Sequence, residues 1–201
     1  MATTSLSTFL KRLTRGMAAG TLNEQTDRQL VEQFLAQREE AAFEAIVRRH
    51  GAMVYRVCWR VLQQSQDTED AFQATFLLLA QKLRTVRRHD SLASWLHGVS
   101  HRVALQAKAR AARRRRHEQR ATTAEVDRTP ELSAEELLAV LDAELGKLPE
   151  KWRLPLILCY LEGRPQEESA SQLGWSKSTL RRRLQEARDA LGRRLKGRGL
   201  V

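Results

Sequence analysis

The sequence predicts an all-α protein built as two small helical domains joined by a flexible linker. Three observations lead there. Helical spacing of apolar residues recurs along most of the chain, and no strand-like alternation of useful length interrupts it. Residues 117–132 are polar, lack periodicity and carry Pro130, which marks a linker. The charge also changes sign in blocks. Within a formal net charge of +11, residues 81–120 carry +10, residues 121–150 carry −6 and residues 151–201 carry +7. Two basic blocks around an acidic one suggest two separate contacts with a polyanion. A length of 201 residues suits one large or two small domains.

Taken in order, residues 1–26 read as a loose amphipathic extension. Phe9, Leu10, Leu13 and Met17 are interspersed with Lys11, Arg12 and Arg15, with no uninterrupted apolar core of a secretory signal. Leu30, Val31 and Phe34 begin the first bundle. A stripe from Phe43 to Leu62 follows, with an interruption expected near Gly51. Gln63 to Asp67 is a polar break, and Asp67 is placed to cap the next helix, with Glu69 and Asp70 in its first turn, where the helix dipole favours negative charge. Phe72, Phe76, Leu79 and Leu83 form the buried face of that helix. After the basic segment Arg84 to His89, Asp90 or Ser91 can cap a further helix with Leu92, Trp95, Leu96, Val99 and Val103 inward, running out into Arg113 to Arg116.

In the second bundle, Ser133 and Glu136 form a capping-box pattern ahead of Leu138, Leu141, Leu145 and Leu148. Pro155 removes one hydrogen bond from the next segment and predicts a kink or a late start. Two helices then follow, Gln166 to Leu173 and Ser176 to about Leu195. Between them Gly174 supplies a turn that needs positive φ. This is a helix-turn-helix pattern. Leu180, Leu184, Ala187 and Leu191 are expected inward. Lys177, Ser178, Arg181, Arg182, Gln185 and Arg188 are expected outward, where arginine and glutamine can read base edges and the remaining cations can hold phosphates.

Other chemistries find little support. Cys58 and Cys159 sit in apolar helical patterns without metal spacing and read as small buried hydrophobes of a reducing compartment. His97 and His101 are four apart, but a third ligand is missing and Gly98 stands where a metalloprotease needs glutamate. The expectation is a protein with no cofactor, no metal and no catalytic residues. No apolar run is long enough to span a bilayer, so membrane insertion is not expected and the cytoplasm is the expected compartment.

Asp67-Thr68-Glu69-Asp70-Ala71-Phe72-Gln73-Ala74-Thr75-Phe76 resembles the region 2.2 motif of bacterial RNA polymerase sigma factors. Ser94-Trp95-Leu96 with the basic helix behind it is similar to regions 2.3 and 2.4. Leu148-Pro149, Arg153, Leu161-Glu162-Gly163, Glu167-Glu168 and Leu173-Gly174 resemble region 4. No substantial domain intervenes, which resembles the extracytoplasmic-function (ECF) group. The resemblance implies a region 2 domain over 27–116 for core polymerase and the −10 element, and a region 4 domain over 133–199 for the −35 element. It implies core-polymerase contacts at Asp67, Glu69, Asp70 and Gln73. It implies −10 contacts at Arg87, Arg88, His89, Ser91, His97, His101, Arg102 and Gln106. It implies −35 contacts at Lys177, Ser178, Thr179, Arg181, Arg182, Gln185 and Arg188.

The implied partners are core RNA polymerase, through the β′ clamp helices and the β flap, promoter DNA, and an anti-sigma factor as a further candidate. The holoenzyme would lie on the nucleoid. Arg102 stands where the family often carries asparagine, Ser169 where it usually has an apolar residue, and Pro165 where serine usually caps the helix. Trp95 shares its spacing with Leu92, Leu96 and Val99, which favours core packing over a stacking platform. A stand-alone helix-turn-helix regulator is the alternative function. It leaves the acidic motif and one basic block without a role.

Overall fold

A computed structural model describes residues 25–37, 39–86, 92–119 and 133–200. Among these residues every regular element is helical, as the periodicity predicts. Helix α1 is Asp27–Gln37, α2 is Glu40–Leu62, α3 is Ser65–Lys82, and α4 is Leu92–Gln119. These four form the N-terminal bundle, with α2 packed against α1, α3 and α4. Its centre is aromatic. Phe43 meets Phe76 edge-on at 6.5 Å between centroids, and Phe34 and Phe72 extend the stack at 5.0 Å from Phe43 and Phe76 respectively. Such pairs add directional contact to the area they bury.

Three sequence expectations change here. Helix α2 runs through Gly51 without a break. A Cβ added here would lie 3.6 Å from the Phe72 ring, an ordinary van der Waals contact, so the site does not demand glycine. Asp67 does not cap α3. That helix starts at Ser65 with Gln64 in the cap position and no side-chain cap bond, so Asp67 falls inside the first turn. Helix α4 continues to Gln119, three residues into the expected linker; the rest of the linker, the extension up to residue 24 and the cap expected at Asp90 or Ser91 lie outside the described residues.

The C-terminal bundle comprises α5, Ala134–Gly146; α6, Glu150–Leu156; α7, Gln166–Leu173; and α8, Lys177–Lys196. The capping box at the start of α5 forms in full. Ser133 Oγ accepts from the Glu136 amide at 3.2 Å, and Glu136 accepts from the Ser133 amide at 2.9 Å. The leucine stripe of α5 holds only at its far end. Leu145 is buried, as is Leu148 just beyond the helix, while Leu138 is exposed and the carboxylates of Asp142 and Glu144 go inside instead. Pro155 sits within α6 and is followed by a π turn over Ile157–Leu161. The wider turn is closed by the Glu162 amide donating to Ile157 O, and Gly163 at φ +70° then reverses the chain.

The two bundles are in contact. Helix α5 lies on α2 and α4, and α6 and the π turn rest on α4. The buried apolar cluster continues from one bundle into the other.

Candidate nucleic-acid interface

The helix-turn-helix forms as the residues dictate. Gly174 takes φ +64° and its amide donates back into α7. Ser176 caps α8, its hydroxyl accepting from the Thr179 amide at 3.1 Å. Leu180, Leu184 and Ala187 are buried, and Leu191 packs against the same core. Ser169, out of place on an apolar face, is fully buried, and its hydroxyl accepts from the Cys159 thiol at 3.5 Å.

The opposite face of α8 points to solvent. Lys177, Ser178, Arg181, Arg182, Gln185 and Arg188 are all exposed, and Thr179 is half-buried beside the cap. Three of these cations are held by neighbours. Lys177 pairs with Glu167 of α7, Arg182 meets Glu186 at 2.7 Å, and Arg188 donates to Gln185 at 2.7 Å and to Tyr160 at 3.3 Å. Arg183 also reaches Glu186, at 3.0 Å. The Trp152 indole N–H donates to the same carboxylate at 3.0 Å, ties α6 to α8 and holds Glu186 below the usual carboxylate range. Hydrogen bonding from Lys177 does the same for Glu167. Trp152 and Glu186 were not singled out from sequence, because their partners lie 34 residues apart.

The second basic surface is α4. Arg102 and Gln106 are exposed and His101 is half-buried, with burial pushing its pKa down. Arg87, Arg88, His89 and Ser91 lie outside the described residues. His97 departs from the expected outward face. It is fully buried, with Nε2 3.2 Å from Asp142, because α5 lies across this turn of α4. Trp95 is half-buried against the core, in line with a packing role.

The acidic start of α3 remains available to a partner. Asp70 is exposed, and Asp67, Glu69 and Gln73 are half-buried. No carboxylate there makes a cap bond. Asp67 and Asp70 form one rim of a groove of about 790 Å³ between α3 and α4, floored by Ala71, Ala74 and Val103, with Arg110, Arg113 and Arg114 on the other rim.

Cys58 is buried at the base of α2, and burial pushes its thiol up to about 12, which makes it unreactive. Among the described residues no cluster of three metal-ligating side chains occurs, and no helix is long and apolar enough to cross a membrane.

This arrangement defines a helix-turn-helix protein with a second, separate basic helix. Residues 46–114 match the family described as Sigma-70 region 2, and residues 138–191 match Sigma-70, region 4. The chain belongs to the sigma-70 family of RNA polymerase sigma factors, in the ECF group. It is 30% identical over 160 residues to "ECF RNA polymerase sigma factor SigE" of Mycolicibacterium smegmatis, a match over 75% of this chain and 60% of that protein. It is 28% identical over 180 residues to "ECF RNA polymerase sigma factor SigM" of Mycobacterium tuberculosis, covering 88% of each. The chain thus spans 60% of the length of the first relative and most of the second. A solved structure described as "Structure of CnrH in complex with the cytosolic domain of CnrY" overlays with a TM-score of 0.41 at 23% identity, over 86% of this chain and 99% of that one.

Proposed function

We propose that this protein is a sigma factor that binds core RNA polymerase and directs promoter-specific initiation, acting by binding rather than catalysis. The observation that carries the reading is α8. Its capped N-terminus and its exposed Lys177, Arg181 and Gln185 sit behind a glycine turn that fits a helix into a major groove. Lys177, Ser178, Thr179, Arg181 and Gln185 meet the −35 bases or their nearest phosphates, and Arg182 and Arg188 hold the backbone. His101, Arg102 and Gln106 of α4, with Arg87, Arg88, His89 and Ser91 ahead of it, meet the −10 element. Asp67, Glu69, Asp70 and Gln73 face basic residues of the β′ clamp helices.

On this reading residues 27–116 and 133–199 are the two working domains and the residues between them the tether. An anti-sigma factor is a further candidate partner, and the compartment is the cytoplasm, with the holoenzyme on the nucleoid. The test is pull-down with core polymerase followed by run-off transcription. Core-dependent transcripts from a defined set of promoters support the reading. Nanomolar, sequence-specific duplex binding by the chain alone at physiological salt, without core binding, would establish the stand-alone regulator instead.

A further inference from the structure

The solvent face of α8 is not a bare basic surface. Its first cation, Lys177, pairs with Glu167, which stands in the first turn of α7, the other helix of the helix-turn-helix. Arg181, one turn further along α8, adds its field to the same carboxylate. The pair lies in water, with side chains 63% and 74% exposed. Exposed pairs contribute little to stability, so the fold does not depend on this one. Glu186, which meets Arg182, differs. It also accepts from Trp152 and so joins α6 to α8. Among the described residues the Glu167 side chain bonds Lys177 alone.

We propose that Glu167 is a specificity-determining residue of the helix-turn-helix, a carboxylate that cancels the charge of Lys177 toward phosphate while leaving N–H donors of that lysine for base edges, so that DNA lacking the right bases is held weakly. The inference rests on the reading of α8 as the −35 helix.

Non-specific DNA binding comes from cations that neutralise phosphates and release counterions, and each such contact steepens the salt dependence by about 0.9. A lysine already neutralised by its own chain brings little of that gain. A phosphate takes it only by displacing Glu167, and one anion then replaces another. Hydrogen bonding to bases follows a different rule. An ammonium group carries three donors; Glu167 occupies one, and the others suit acceptors such as guanine O6 and N7 in the major groove. The placement fits both modes. In helix-turn-helix proteins the first helix crosses the DNA backbone and the N-terminal residues of the second enter the groove. Glu167 is on that first helix, and Lys177 is the first residue of the second. In a non-specific complex Lys177 serves only as a phosphate partner, which Glu167 opposes. In a specific complex it serves as a donor, which Glu167 leaves in place. The carboxylate therefore weakens the wrong complex more than the right one, and specificity is that difference.

Glu167→Gln keeps the size of the side chain and an acceptor oxygen and removes the charge. Holoenzyme assembled from core polymerase and the full chain is titrated, at several salt concentrations, against a promoter duplex that it transcribes and against the same duplex with the −35 segment scrambled. The variant should keep its helical content, bind the scrambled duplex roughly fivefold more tightly and the promoter less than about twofold more tightly, and show a salt slope on the scrambled duplex steeper by about one unit. Adding Lys177→Gln should remove the gain on scrambled DNA. Glu168→Gln deletes the neighbouring charge, which pairs with Arg164 instead, and should leave both affinities within about twofold of wild type. Equal gains on the two duplexes, or an equal gain from Glu168→Gln, overturn the inference, because the charge then acts without regard to sequence or to Lys177. Unchanged affinities overturn it too, and leave the pair a surface contact only. A wild-type holoenzyme that binds both duplexes alike removes the −35 reading of α8 and this inference with it, whereas a wild type that discriminates, beside a variant that discriminates equally well, removes the role of Glu167 alone.

Discussion

Two basic helices meet solvent in different ways. On α8 every cation assigned to DNA is outside, while the apolar stripe and the Trp152–Glu186 bond anchor the other side. On α4 the exposed Arg102 and Gln106 lie on the same helix as the buried His97, and the C-terminal bundle covers part of the face. The difference teaches that charge along a helix does not by itself make an accessible surface. What decides is which neighbour lies across each turn. The surface proposed for the −35 element is fully exposed on α8, and the one proposed for the −10 element is exposed only where the C-terminal bundle leaves α4 open.

The largest expected effect tests whether the two surfaces rest on cores of equal strength. Phe76→Ala removes a fully buried ring from the centre of the N-terminal bundle and should cost about 3–5 kcal/mol, whereas Leu180→Ala beneath α8 should cost about 2–5 kcal/mol. Chemical denaturation of the full chain measures both. A loss below about 1 kcal/mol at either site means that its bundle packs differently.

The next test is pH, which should act on the junction of the bundles and spare α8. Burial alone would lower the pKa of His50, but the carboxylates of Asp27 and Glu162 outweigh it and raise it from 6.5 to about 9. Arg49 beside Asp27 and Arg164 beside Glu162 complete the set of charges. A raised histidine contributes its full stabilisation below its unfolded pKa of 6.5 and loses it as pH climbs through about 9. Between pH 7 and 10 the loss should be on the order of 2 kcal/mol. Thermal unfolding across that window checks it, and His50→Gln should flatten the slope. Asp27 acts at the other end. Its pKa is held well below the usual carboxylate range by His50 and Arg49 against the opposing pull of burial, so its contribution is present above 3.8 and fades in acid.

Within α8, Arg181→Ala should cost about 1–3 kcal/mol and relax preference at one promoter position. Arg182→Ala should weaken binding to all sequences alike and lower the salt slope by about one unit. Polymerase-dependent binding to −35 variants at several salt concentrations separates them, and equal uniform losses would mean that the helix is rotated from the orientation assigned here. The smallest effect belongs to the cap. Ser176→Ala should cost about 1 kcal/mol of stability without changing promoter preference, read by denaturation and by the same binding series.

What the sequence made legible follows the range of the forces involved. The helix-turn-helix was readable because Gly174, Ser176 and the leucines of α8 act within a few residues of one another. The capping box at Ser133 was readable for the same reason. The continuity of α2 through Gly51 is not, because one glycine weakens a helix only slightly and the packing of α2 against three other helices outweighs it. The inward turn of Asp142 was hidden in a leucine stripe, since its partners Arg60 and His97 lie 82 and 45 residues away. The burial of His97 is hidden for the same reason. Helical spacing assigns a face to each residue but does not say what covers that face.

The bond between His50 and Glu162 joins residues 112 apart in sequence. A ribosome adding roughly 5–20 residues per second delivers the second partner on the order of 10 s after the first. Helices α1 to α4 have ample time to fold in that interval, since small bundles rich in local contacts form in microseconds to milliseconds. Each newly made molecule therefore passes through a nascent stage in which the first bundle can form while its half of the junction is bare, and docking waits for the second bundle to be made.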